Sequence, residues 1–340
     1  MIQGSVVWNE ANCFLHRLYE EIYGDFIPPS LTINGVVHHP RSVADIVRLH
    51  VDDTPVLGDW KTLYHVYVFN IANFSGRKSV VPEKLRRKIS RAILFNVSDL
   101  ASALARMGGR EDMHDGVSAI ANRLHARHAF KSGANPNSRP WQECVKGFAD
   151  GLGWLADLER RYPAPADWVA SQIEQERLGA IDADAAWAMA QVIASRRGAE
   201  KLTYMGPALS LNFLKDIGLQ SFVKPDTHIL GLTGSIIGTK EVERAFRELI
   251  GWANAANIWP RSLDRALWLI GSGDFHYLSK ADGHHRRASG DTSARRNDFA
   301  NIVRARHGLA PLPPVAPKAK GRKKGACGQG GHSPAHLALA

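Results

Sequence analysis

The residues of this chain best suited to chemistry lie between Lys201 and His228. The segment reads KLTYMGPALSLNFLKDIG and continues, three residues after that run, with FVKPDTHI. Gly206 allows a close approach to the backbone, and Pro207 suits a first helical position because it has no N–H to lose. The free N–H groups at such a helix start can bind a phosphate. The pattern predicts a helical hairpin whose second helix ends at Gly218.

A carboxylate follows this hairpin closely. Pro225 favours an extended Lys224 and the start of a new helix, which places Asp226 in the first turn of that helix. Asp226 is then either an N-terminal cap, the commoner role, or a charged group that acts on a bound molecule. The two roles are compatible.

These segments resemble the helix-hairpin-helix DNA glycosylase superfamily, in which the hairpin grips the DNA backbone and an Asp follows at a fixed distance. The matching segment here is Lys224-Pro225-Asp226-Thr227-His228-Ile229. The resemblance implies that Asp226 is catalytic. It also places Ala208, 18 residues before Asp226 (226 − 208 = 18), where bifunctional members carry a lysine. Without that lysine no Schiff base forms, so the resemblance implies a monofunctional enzyme.

The same resemblance implies the DNA contacts and the fold. It assigns backbone contacts to the hairpin turn and to one lysine before the Asp: Tyr204, Met205, Gly206, Pro207, Ala208 and Lys224. Tyr204 stands where the family has the first glycine of a turn that can hold a monovalent cation. His228 is expected to make a supporting structural contact. The implied fold is two-lobed, with a cleft between the lobes.

No metal site or cofactor is expected. The cysteines are Cys13, Cys144 and Cys327, too scattered for an iron–sulfur cluster or a structural zinc site. They also fit a reducing compartment. The paired histidines, such as His38 and His39, lack acidic or cysteine neighbours at zinc-site spacing.

Composition indicates a globular protein. Hydrophobic residues make up 44% and charged residues 22% of the 340 positions, and no apolar run reaches the length of a membrane span. The segment MIQGSVVWNEANCF lacks the layout of a secretion signal. We therefore expect a cytoplasmic monomer without membrane contact.

The net charge of +10 is unevenly distributed. Residues 281–340 hold 11 Lys and Arg against 3 Asp and Glu, a net +8, which leaves 32 against 30, or +2, for residues 1–280. The segment 311–340 has few apolar residues and is predicted to be a disordered basic tail. It is either a solubilising terminus or a phosphate-attracting arm.

Helical periodicity dominates the rest, with one β-hairpin predicted at Leu31–Val37 around Asn34-Gly35. The fold class is therefore mainly α, divided into an N-terminal helical region 1–140, a catalytic lobe 141–310 and the tail. An opening amphipathic helix runs through Leu15. Further helices are predicted at 59–73, 82–94, 98–107, 116–130, 141–161, 165–177, 183–197, 227–237, 240–256 and 262–270. The segment 131–140 is a linker or a DNA-facing loop.

Two further groups have alternative interpretations. Aromatic residues can line a pocket for a flipped base or belong to the core, and the candidates are Trp8, Trp60, Trp141, Trp154 and Tyr204. The basic cluster Arg86-Arg87-Lys88 is a solvated helix face or a DNA contact.

The expected function is a monofunctional DNA glycosylase that acts on double-stranded DNA. It flips out a damaged or modified base and leaves an abasic site, in repair or in defence against phage DNA with hypermodified bases. One alternative is a helix-hairpin-helix protein that binds DNA without catalysis. A metal-dependent nuclease is less favoured, because clustered carboxylates and histidines are lacking.

Overall fold

The structure, a computed structural model, describes residues 2–52, 57–72, 83–128, 139–173, 176–194, 202–203, 205–281, 288 and 291–314. Within these ranges the protein is mainly α-helical, as predicted. Its helices are α1 (Gly4–Tyr23), α2 (Val43–Val51), α3 (Trp60–Ile71), α4 (Glu83–Ile93), α5 (Leu100–Arg106), α6 (Gly109–His128), α7 (Arg139–Arg161), α8 (Pro165–Gln172), α9 (Ala183–Ala194), α10 (Pro207–Asp216), α11 (Thr227–Ile237), α12 (Val242–Ala256), α13 (Pro260–Ser272), α14 (His276–Ala281) and α15 (Thr292–Arg306).

The predicted β-hairpin is confirmed. Strands β1 (Leu31–Ile33) and β2 (Val36–His38) pair antiparallel, with Leu31 opposite His38. Asn34 and Gly35 both have positive φ, 49° and 83°, which the two-residue turn between twisted strands requires.

The helices pack into two groups. In one, α7 packs on α3, α5 and α6, and α4 packs on α3 and α6. In the other, α1 packs on α12, α13 and α15, while α11 lies against α13 and α15. Helix α10 packs on both α9 and α3, and so joins the hairpin to the first group. Each group contains helices from both sides of residue 140, the predicted domain boundary. That boundary stays a prediction.

Helix boundaries follow local capping chemistry. Asp59 caps α3 by accepting from the Thr62 amide at 2.8 Å, and Asp99 caps α5 by accepting from the Ser102 amide at 2.6 Å. Gly238 and Gly273 follow α11 and α13 with φ of 77° and 67°, a conformation that favours glycine at a helix end.

Three helices were not predicted: α2, α14 and α15. Helix α15 lacks a continuous apolar stripe because Arg295, on its inner face, is buried along with Phe299 and Val303. Helix α7 begins at Arg139, so the predicted linker 131–140 is two residues too long. Its residues 131–138 lie outside the described part, as do residues 315–340 of the predicted tail.

Candidate functional site

The hairpin turn leads into α10 as predicted. Pro207 is the first helical residue, Gly206 is the N-cap without any side-chain cap, and Gly218 follows the helix with φ 111°. The amides of Met205, Leu209 and Ser210 donate to backbone carbonyls, at 3.2, 3.0 and 2.9 Å. Among the described residues no acceptor meets the amides of Gly206 and Ala208.

Gly206 is open to an approaching molecule. Its φ is −101°, and a β-carbon built on it would meet nothing within 4 Å. The protein itself therefore does not require glycine here. Pro207 is exposed, whereas the Met205 side chain is fully buried, so that side chain cannot reach a ligand at the surface. Tyr204, the remaining predicted turn contact, lies outside the described residues, and so the cation proposed there stays a prediction.

Asp226 is the N-cap of α11. Its Oδ1 accepts from the amides of His228 at 2.8 Å and Ile229 at 3.1 Å. No described residue donates to Oδ2, and the side chain is half-buried. The helix begins at Thr227 as predicted, so Pro225 lies before the cap, and Asp226 is the cap itself and not a residue of the first turn as predicted. One oxygen is thus used by the fold, and the other is left for a ligand.

A buried ion pair supports the segment before Asp226. Asp264 on α13 accepts from the Lys224 amide at 2.8 Å with Oδ1 and from the Lys215 ammonium at 2.6 Å with Oδ2. Both charged side chains are buried, and burial lowers the pKa of Lys215 although Asp264 opposes this. The Lys224 ammonium has no partner among the described residues and is available for a backbone phosphate.

His228 is half-buried beside the cap. Burial lowers its pKa, which the charge of Asp226 partly offsets. Its ring lies edge-on to Trp268, with 6.2 Å between ring centroids, and packs on Gly271. A β-carbon at position 271 would come within 2.8 Å of His228 Cβ, so this contact requires glycine. The geometry agrees with a supporting structural role.

Helix α15 contributes two arginines that sequence reasoning missed. Arg296 donates to the Thr227 carbonyl at 3.0 Å, next to Asp226. Arg295 donates to the Ile270 carbonyl at 2.8 Å near the end of α13. The Arg-Arg pair four residues after a capping Asp291 was the available signal. Without a predicted helix, nothing placed that pair near Asp226.

The proposed base-pocket aromatics belong mostly to the core. Trp60, Trp141 and Trp154 are buried, and Trp141 donates to Asn122 at 2.7 Å. Trp268 contacts His228, which is two residues after Asp226. Three cavities of about 410, 730 and 390 Å³ lie between α1 and α15, between α1 and α12, and between α3, α4 and α10. Asp226 lines none of these three.

Across the described ranges, no three His, Cys, Asp or Glu residues are grouped so that they could hold a metal ion. The helices in those ranges include none with the length and apolar character needed to cross a bilayer.

The described residues therefore offer two features, an open helix start at Gly206 and Ala208 and a held carboxylate at Asp226. Comparison of the chain with protein-family models, with curated proteins and with solved structures finds no match.

Proposed function

We propose that this protein is a monofunctional DNA glycosylase. The proposal rests on the geometry of Asp226. Its Oδ1 caps α11, and its Oδ2 has no donor among the described residues. A carboxylate fixed by one oxygen is oriented in advance, which is what stabilisation of a developing positive charge requires.

The reaction follows from that carboxylate. The bond between C1′ and the base nitrogen breaks, its electron pair leaves with the base, and the sugar becomes a cation. Asp226 stabilises this cation and takes a proton from the water whose oxygen attacks C1′. The products are the free base and an abasic site in an intact strand.

The DNA is held by the hairpin turn. The amides of Gly206 and Ala208 donate to a DNA phosphate at the start of α10, and the Lys224 ammonium contacts a second phosphate of the DNA backbone. Ala208 has a methyl group where a Schiff-base lysine would stand, so strand cleavage needs later alkali or heat. Borohydride should trap no covalent adduct, and a trapped adduct would contradict this chemistry.

Base release from defined duplexes tests the proposal. The panel carries alkylated purines, oxidised guanine, mismatches and hypermodified pyrimidines, including phage DNA, because the excised base decides between repair and defence. Asp226→Asn keeps the size and most of the capping but loses the charge, so release should fall by about 10²-fold or more while binding survives.

Asp59→Asn is the matched control. Asp59 also caps a helix with Oδ1, but that helix is α3, which contributes no residue to the proposed site. This variant should release bases at the wild-type rate. If Asp226→Asn does so too, Asp226 is only a cap.

The alternative is a DNA-binding protein without catalysis, which the capping role of Asp226 on two amides favours. It predicts duplex binding with no base released from any member of the panel, for the wild type as for the variants.

A further inference from the structure

The exposed face of α4 carries a row of cations. Four of them follow one another at spacings that bring them to one side of the helix, and all are exposed: Lys84, Arg87, Lys88 and Arg91. We call these four residues the α4 basic face. From Lys84 to Arg91 the helix rises about 10.5 Å. The row is therefore long enough to meet more than one phosphate of a strand.

The opposite face of α4 anchors the helix. Leu85, Ile89 and Ile93 are buried in the core. Arg86 is also buried, because it donates to the Phe69 carbonyl at 3.0 Å and lies 4.4 Å above the centre of the Phe69 ring. One cation of the helix is thus buried, whereas the four of the basic face are exposed.

An exposed aromatic ring follows this helix. Phe95 lies two residues after the end of α4 and is 64% exposed. Its backbone is nevertheless fixed: Arg106 donates to the carbonyls of Ala92 at 3.0 Å, of Ile93 and of Phe95. Asn96 then reverses the chain with φ 53°. The turn holds a large apolar side chain in water rather than burying it.

The cavity of about 390 Å³ opens beside the same face. Its lining is shared by α3, α4 and the end of α10, and comprises His65, Val66, Phe69, Asn70, Arg87, Arg91 and Asp216. Asn70 donates to Asp216 at 3.2 Å within it. Burial, followed by the charges of Arg91 and Arg87, lowers the pKa of His65, which favours its neutral form. The lining thus combines the apolar side chains of Val66 and Phe69 with charged and amide groups.

We propose that the α4 basic face and Phe95 bind unpaired nucleotides of a nucleic-acid strand, with phosphates along the cations and one base stacked on the Phe95 ring. A positively charged track combined with an exposed aromatic ring is the arrangement that binds single strands without sequence preference. A paired base has no free face for Phe95, so the nucleotides at this surface are unpaired.

This surface lies apart from the hairpin turn. The cavity adjoins Asp216 at the end of α10, whereas Gly206 stands at its start. The ten residues of the helix between them span about 15 Å. The inference does not require catalysis by Asp226.

The first test measures the salt dependence of binding to a labelled single-stranded oligonucleotide of about 20 nucleotides, longer than one such site. The variant replaces Lys84, Arg87, Lys88 and Arg91 by Gln. Each lost phosphate contact should reduce the slope of log affinity against log salt by about 0.7, or about 2.8 for four.

The matched control replaces four other exposed cations, Arg48, Arg160, Lys240 and Arg244, by Gln. It removes the same charge from scattered positions and should keep the wild-type slope. Equal slopes in the two quadruple variants would overturn the proposal, because net charge alone would then explain binding. The proposal would also be overturned if the α4 quadruple variant lost binding to anionic phospholipid vesicles but bound the oligonucleotide as the wild type does.

The second test isolates the ring. Phe95→Ala should weaken binding of the oligonucleotide by between about 5-fold and about 150-fold, the range for one stacked base, with the salt slope unchanged. Phe95→Trp should retain binding, whereas Phe95→Leu should not. Equal binding by the Leu and Trp variants, or an equal loss towards a blunt duplex of the same sequence, would refute stacking on unpaired bases.

Discussion

Two helix starts at the proposed site differ in how their amides are satisfied. Helix α11 is closed by Asp226, whose Oδ1 accepts from two amides. Helix α10 starts at Gly206-Pro207 without a side-chain cap and leaves two amides unmet within the described residues. A capped start fixes a carboxylate, whereas an open start offers donors to an outside anion. A helix N-terminus thus fixes a carboxylate at α11 and leaves amides free to bind an anion at α10.

The supports of the two starts also differ. The Asp226 turn is held from three sides, by Asp264 through the Lys224 amide, by Arg296 through the Thr227 carbonyl, and by His228 packed on Gly271. At Gly206 a β-carbon would meet nothing within 4 Å. The first region has been fixed by the fold, and the second has been kept accessible.

The largest effect should come from breaking the buried support of the closed start. Asp264→Asn can still accept from the Lys224 amide but leaves the Lys215 ammonium buried without its carboxylate. We expect the free energy of unfolding to fall by about 3–5 kcal/mol, measured by urea denaturation. Adding Lys215→Met should restore most of this loss, because no buried charge remains.

An exposed ion pair gives the control for that experiment. Arg247 and Asp184 form a salt bridge on the surface, so Asp184→Asn should cost less than about 1 kcal/mol. If Asp264→Asn costs no more than Asp184→Asn, the buried pair does not support the Asp226 turn.

The second prediction converts the open start into a closed one. Gly206→Asp adds a cap at a position with room for a side chain and negative φ, so stability should be kept or rise by a few tenths of a kcal/mol. Its carboxylate would occupy the place proposed for the phosphate. We expect the Kd for duplex DNA to rise by about tenfold or more, which corresponds to about 1.4 kcal/mol.

Gly206→Asn separates charge from shape, because it caps equally well and is neutral. Its Kd should stay much closer to that of the wild type in a fluorescence anisotropy titration. Equal affinities for the Asp and Asn variants would mean that no phosphate binds at this turn.

The third prediction opens the closed start. Asp226→Ala removes the acceptor for the amides of His228 and Ile229, so the free energy of unfolding should fall by about 1 kcal/mol, whereas Asp226→Asn should stay near the wild type. Thermal melting of the two variants side by side measures this difference. An alanine variant as stable as the wild type would show that the cap adds nothing to the fold.

The smallest effect concerns His228. Its folded pKa is lowered, chiefly by burial, so between the unfolded value of about 6.5 and the lower folded value the unfolded chain binds more protons. Stability should therefore decline as the pH falls through that window and level off below it. His228→Asn should show a shallower decline in urea denaturation across the same pH range. His65 and His125, whose pKa values are also lowered, contribute to both proteins alike.

The sequence predicted those parts of the site in which a single residue sets the start or end of a helix or turn. Pro207 and Gly218 bracket α10, and the bounds of α11 agree with the prediction at both ends. Asn34-Gly35 likewise specified the hairpin turn. Each of these residues restricts the backbone by its own chemistry, so no distant partner has to be known.

The supporting residues could not be predicted in this way. Lys215 and Asp264 stand 49 positions apart, and a lysine within a helix usually faces solvent, so nothing local indicated a buried pair. Helix α15 was not predicted for a similar reason. The inner face of α15 includes Arg295, where the periodicity of a helix calls for an apolar residue. The contact between Trp268 and His228 also depends on the packing of α13 against α11.

The packing of α1 against α12, α13 and α15 has a consequence for the time at which this protein becomes functional during synthesis. The Gln3 amide donates to His307 Nε2 at 2.8 Å, across 304 positions of the chain. A ribosome adds about 5–20 residues per second, so α1 waits on the order of 15–60 s for this partner to be made. Arg296, which fixes the Thr227 carbonyl, comes from the same late helix. The turn at Asp226 is therefore completed late, and the apolar side of α1 is the surface that a chaperone would have to shield until then.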